Sequence, residues 1–174
     1  MLSLARRAGA ICFGTLAQRG EVSHRTTCAM VETVPADAYR IYDINLRQHF
    51  YSKELIDRSL RIANVLKITM TNSSGCRRCL RFRRIRMLRA ANWRNNMHFA
   101  CGDRFSSIYT RECISTLPTP RVEVVDTVGA GDAFSGTLIG ALLSGRTIAE
   151  AHRTAVETAA YVCTCAGAWP PPRK

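Results

Sequence analysis

From Ala10 to Ile68, apolar runs of strand length alternate with segments of helical period, joined by links of a few residues. Ala10–Thr15 reads as a strand, and His24–Thr33 as a helix ended by Pro35, whose ring cannot continue it. Arg40–Leu46 is predicted as a second strand, with Asn45 and Arg47 at its carboxyl end. Ser52 stands as the N-cap of the next helix and Glu54 favours its first turn. Leu55, Ile56, Ser59, Leu60 and Ala63 then make a stripe at helical spacing. Val65–Ile68 follows as a third strand. Parallel neighbours need crossover helices, so this order predicts an α/β fold: a parallel sheet with helices on both faces.

The carboxyl-terminal third repeats the theme with sharper punctuation. Val122, Val124 and Val125 are predicted as a β-branched strand, and Asp126-Thr-Val-Gly129-Ala130-Gly131-Asp132 as a tight loop running into a helix over Ala133–Leu143. Thr147 and Glu150 have the spacing of a capping box for a second helix. Ile148, Ala151, Ala155, Ala159 and Val162 form one face of that helix, which is expected to end near Gly167, before Pro170–Pro172. In the loop, two glycines around one alanine let the backbone turn with converging N–H groups at a helix amino end, where the dipole favours anions. Asp132 places a carboxylate at that same anion site, which suits a group that accepts a proton from an attacking atom, a role worth about 10² to 10⁴-fold in rate. A capped helix after an ordinary glycine turn is the competing reading of the same spacing.

A chain of 174 residues fits one ordinary domain, and its 47% hydrophobic content excludes wholesale disorder. No apolar run approaches a bilayer span of roughly 18–20 residues. The formal charge is +12, but a local +8 comes from eight arginines in an acid-free stretch, Thr69 to Gly102, so the excess is not a general nucleic-acid signature. Cys76-x₂-Cys79 and His98-x₂-Cys101 in that stretch could be read as tetrahedral zinc ligands of a basic nucleic-acid-binding module. The wide gap between the pairs counts against it. Basic Arg6 and Arg7 before Ala10–Phe13 resemble the start of a targeting peptide, yet the apolar run is shorter than the roughly 7–15 residues of a secretory core and reads as a short buried strand. Eight cysteines without such a signal fit reduced thiols in a cytoplasm, most of them small core residues. His24 and His152 read as surface or cap residues, and Trp93 and Trp169 carry no motif.

Val122-Glu-Val-Val-Asp126-Thr-Val-Gly-Ala-Gly-Asp-Ala-Phe134-Ser-Gly136 resembles the carboxyl-terminal signature of the ribokinase-like, or PfkB, sugar kinases. Ala10-Ile-Cys-Phe-Gly14, Tyr42-Asp43-Ile-Asn45-Leu-Arg47 and Asn64-Val-Leu-Lys67-Ile68 are similar to successive strands of that family, nearest its fructokinase-like members. The likeness covers about residues 9–68 and 104–170, so that the whole chain, 1–174, reads as a single partial domain truncated in its amino-terminal half and irregular at about 69–103. It implies ATP-dependent phosphorylation of a sugar hydroxyl, with Mg²⁺ and a monovalent cation such as K⁺. Asp132 would be the catalytic base, and Gly129, Ala130 and Gly131 the anion hole, with Thr127 on the nucleotide side. Asn45 and Arg47 would face the substrate, and Asp126 the monovalent cation. ATP and a small sugar are the implied partners, and a homodimer is compatible with sheet edges left by a missing half.

Thr69 and Asn72 stand where the family has an asparagine and a glutamate near the magnesium and phosphates. In a shifted frame, a back-translation from Ile68 onward gives Ile-Asn-Asp-Glu-Leu, restoring that asparagine, so a pair of compensating frameshifts around 69–103 is one account of the arginine-rich stretch. A catalytically inactive, truncated or frameshifted fragment is therefore the alternative to an active kinase.

Overall fold

The computed structural model describes residues 1–44, 50–69 and 97–171. After a helical turn, α1 (Leu2–Ala5), the chain runs β1 (Ala10–Gly14), a 3-10 turn (Leu16–Gln18), α2 (Glu21–Thr33), β2 (Tyr39–Ile44), α3 (Lys53–Ile62) and β3 (Val65–Thr69). Then follow β4 (Met97–Cys101), β5 (Phe105–Tyr109), β6 (Ile114–Pro118), α4 (Ala130–Leu143) and α5 (Ile148–Cys163). The six strands form one sheet in chain order. β1 to β4 are mutually parallel, with Asp43 opposite Lys67 and Val65 opposite Met97. β5 and β6 turn back antiparallel. The predicted parallel sheet is thus mixed: the hairpin needs only a short turn, made where Thr110 Oγ1 accepts from the N–H groups of Glu112 and Cys113.

Alternation along the strands gives the sheet two apolar faces. Phe13, Tyr42, Ile44 and Leu66 join Val31 of α2 and Ala63, beyond α3, on one side. Ile41, Val65, Met97, Phe99 and Ile108 meet Phe134, Leu138 and Ile139 of α4 and Ala151, Ala155 and Val156 of α5 on the other. Phe99 and Phe134 pair with ring centroids 5.6 Å apart, and Phe134 meets the His152 ring edge-on. Small residues on α5 let it lie close to α4. The fold is therefore the expected sandwich, a sheet with helices on both faces.

The predicted caps are present. Ser52 Oγ accepts from the N–H of Leu55 at 3.1 Å, and Thr147 and Glu150 exchange both capping-box bonds. Several expectations need correction. Val122, Val124 and Val125 form no strand: no neighbour offers them a ladder, their side chains are exposed, and the N–H groups of Val125 and Asp126 donate instead to Cys163 O. α2 begins at Glu21 rather than His24, and α4 at Ala130 rather than Ala133. α5 stops at Cys163, with the left-handed turn at Gly167 beyond it. His152 is no surface residue: it is fully buried, and its two ring nitrogens lie 2.8 Å from Ser106 Oγ and Ser115 Oγ. Burial pushes its imidazole below the ordinary range. His24 is half-buried, with Nδ1 3.0 Å from Gln18 Oε1. Of the cysteines described, Cys28 alone is fully buried, while Cys12 and Cys113 are exposed. No helix among the described residues is long and apolar enough to cross a membrane.

Candidate functional site

The glycine loop is seated on the end of α5. Asp126 Oδ1 accepts from the N–H of Val128 at 3.0 Å and Oδ2 from that of Gly167 at 3.1 Å. Those two donors, Val128 first, hold the Asp126 carboxyl below the usual carboxylate range. Gly129, the N-cap of α4, has φ +83°, and a Cβ there would lie 2.5 Å from Ala168 O, so only glycine fits. That kink brings α4 in with its first donors largely unused. Ala130 N–H reaches Thr127 O at 3.3 Å and Ala133 N–H bonds Gly129 O, but the N–H groups of Gly129, Gly131 and Asp132 have no acceptor among the described residues. Backbone donors left without acceptors at the positive end of a fourteen-residue helix favour negative charge nearby.

Beneath them lies a charge that the sequence reading passed over. Lys67, in the middle of β3, is 2% exposed, and its Nζ lies 2.6 Å from Asp43 Oδ2 of neighbouring β2. The same ammonium lies 3.6 Å from Asp132 Oδ1, whose side chain is 88% exposed. Asp43 stands next to the carboxyl end of β2, with Lys67 opposite it on parallel β3, and that end is where α/β sheets place their ligand crevices. The signal in the sequence was a single lysine inside an apolar run expected to be buried on both faces.

From Gly129 and Asp132 a groove of about 740 Å³ runs between α4 and α5, floored by Gly136, Thr137, Thr154, Thr158 and Val162. Its far wall is Ala168–Pro171, tethered by a hydrogen bond from Tyr161 Oη to Pro171 O. Trp169, without a motif in the sequence, lines this wall and is 95% exposed.

The structure thus brings Asp126, Thr127, Gly129, Ala130, Gly131 and Asp132 together at one helix end. Asn45, Arg47 and Asn72 lie outside the described residues, as do Cys76 and Cys79 of the zinc reading. Cys101 packs against the core, and burial pushes its thiol up to about 12, away from the thiolate a metal requires. Among the described residues no group of three or more His, Cys, Asp or Glu side chains could hold a metal ion.

Comparison with known proteins agrees with this architecture. The pattern of pfkB family carbohydrate kinases matches residues 20–174. The chain is similar to aminoimidazole riboside kinase of Salmonella typhimurium, 29% identical over 157 residues that take in 76% of this chain and 45% of the relative. The crystal structure of aminoimidazole riboside kinase from Salmonella enterica, complexed with aminoimidazole riboside and an ATP analogue, superposes at TM-score 0.72 with 26% identity, covering 91% of this chain and 57% of that one. A putative ribokinase II from E. coli shares the fold at TM-score 0.77 and 16% identity, covering 97% of this chain and 56% of that one. The chain spans about half the length of the relatives it matches.

Proposed function

Because this chain belongs to the pfkB family of carbohydrate kinases, we propose that it carries the phosphoryl-transfer centre of an ATP-dependent, fructokinase-like sugar kinase. The observation that supports this most is the juxtaposition at the start of α4, where unclaimed N–H groups and the exposed Asp132 carboxylate share the mouth of one groove. ATP, entering with Mg²⁺ on its phosphates, is the phosphoryl donor, and the groove between α4 and α5 has the size and apolar lining to hold the rest of the nucleotide. Asp132 takes the proton of the sugar hydroxyl as its oxygen bonds to the γ-phosphorus and the bond to ADP breaks. The backbone donors of Gly129 and Gly131, with Ala130 and Thr127 beside them, stabilise the charge on the transferring oxygens. Each such donor is worth about 10²–10³-fold when aimed at developing charge. Asn45 and Arg47 follow β2 in the sequence and serve the substrate side. Asp126, ionised and with a lone pair left on each oxygen, sits where the loop meets Gly167 and is the residue for a monovalent cation such as K⁺.

An inactive chain is the second reading, favoured by Thr69 and Asn72 standing where the family has an asparagine and a glutamate near the magnesium and phosphates. Turnover of ATP by the purified chain against a panel of sugars, with Asp132→Asn in parallel, separates them. The kinase reading expects turnover with a sugar acceptor and its loss in Asp132→Asn, with nucleotide affinity retained. Nucleotide binding without turnover on any sugar supports the inactive reading. Turnover unchanged in Asp132→Asn removes that residue from the mechanism.

A further inference from the structure

Lys67 presents a problem of charge. An ammonium in the middle of a central strand, almost wholly removed from water, needs a partner, and Asp43 at 2.6 Å is sufficient to neutralise it. Yet a second carboxylate, Asp132, approaches the same nitrogen to 3.6 Å, too far for a hydrogen bond and close enough for an ion pair. The approach is built into the backbone as well: α4 comes so near that a Cβ on Gly131 would stand 3.3 Å from Lys67 Nζ. For Asp132 this ion pair is the one polar contact its carboxylate makes among the described residues. A carboxylate that exposed, on the first turn of a helix, would otherwise divide itself among staggered χ1 wells.

We propose that Lys67, anchored by Asp43, is a positioning residue that holds the Asp132 carboxylate in one rotamer over the carboxyl ends of β2 and β3. The proposal rests on the kinase reading for its consequence, since that reading makes Asp132 the base, but its geometry stands apart from any activity. A base held in one rotamer is already placed when the hydroxyl arrives, and a misplacement of about 1 Å can cost about 10²-fold.

The test uses the full 174-residue chain. Lys67→Met alone would strand the Asp43 carboxylate, so the charge is removed in balance, as Lys67→Met with Asp43→Asn. Lys67→Gln with Asp43→Asn serves as a second version that keeps a hydrogen-bonding pair. Three-bond couplings across the Asp132 χ1 angle are measured by nuclear magnetic resonance in each folded protein. In the wild type they should report one dominant rotamer, and in the double variants values averaged over several. Where the wild type turns over, kcat should fall at least about tenfold in the double variants while nucleotide Kd stays within about twofold. Couplings that remain those of one rotamer without the ammonium would overturn the proposal, whatever the activity. If the couplings average as expected but Asp132→Asn still turns over, positioning stands and the kinase reading falls.

Discussion

Gly129→Ala should unseat the glycine loop from the turn that follows α5. The backbone at Gly129 has φ +83°, a left-handed conformation that costs an L residue about 1–2 kcal/mol. The new methyl would also lie 2.5 Å from Ala168 O and 2.8 Å from Ala168 Cα, distances that backbone atoms must relieve by moving. Forcing a methyl into filled space costs typically about 1–3 kcal/mol. The sum, about 2–5 kcal/mol, corresponds to a fall in Tm of at least about 4 °C for a domain of this size. Calorimetry on the purified chain reads that fall directly. Titration with ATP reads the second half of the argument, because displacing Gly129 re-aims the donors of Gly131 and Asp132 and should weaken nucleotide binding. A Tm within about 1 °C of the wild type, with unchanged nucleotide affinity, would refute both the strain and the link from loop seating to anion binding.

Gly140, by contrast, lies in α4 with open space around the position of its Cβ, so Gly140→Ala should raise stability by about 0.5–1 kcal/mol in denaturant unfolding. Thr147→Ala removes the side-chain half of the capping box and should cost about 1 kcal/mol in the same assay. Burial keeps His152 neutral in the folded chain, whereas the unfolded chain takes up a proton as pH falls through about 6.5. Stability should therefore be flat in this respect above pH 7 and decline from about pH 6.5 downward; His152→Gln should lose that part of the slope. In the native protein at pH 8, iodoacetamide should label exposed Cys113 and spare Cys101, whose thiol is pushed up to about 12, a pattern that peptide mass spectrometry resolves.

What the sequence disclosed follows from how far each interaction reaches along the chain. Ser52 caps a helix three residues away and Thr147 answers Glu150 at the same distance, so both helix starts were visible locally. The glycine loop was visible for the same reason: the backbone demand and the carboxylate lie within seven consecutive residues. Val122–Val125 shows the opposite case. Three valines have strong strand propensity, but a strand exists only if a neighbour offers its ladder, and here the donors turn to the end of α5. Lys67 was missed because its partners, Asp43 and Asp132, are remote in the chain and meet only when β2, β3 and α4 are assembled. The partners of buried His152 on α5 are likewise remote, serines on β5 and β6.

That last contact has a consequence for how the hairpin of β5 and β6 finds its alignment. Ser106 and Ser115 sit on different strands, diagonal to each other in a ladder where Ser106 faces Leu117 and Ile108 faces Ser115. A slip of one residue would turn one serine to the far face of the sheet, and a slip of two would carry it about 7 Å along the strand. Either error leaves a ring nitrogen buried beside Phe134 with nothing to bond, at a cost of about 1–3 kcal/mol. One imidazole on a helix thus proofreads the pairing of two strands to which it does not belong.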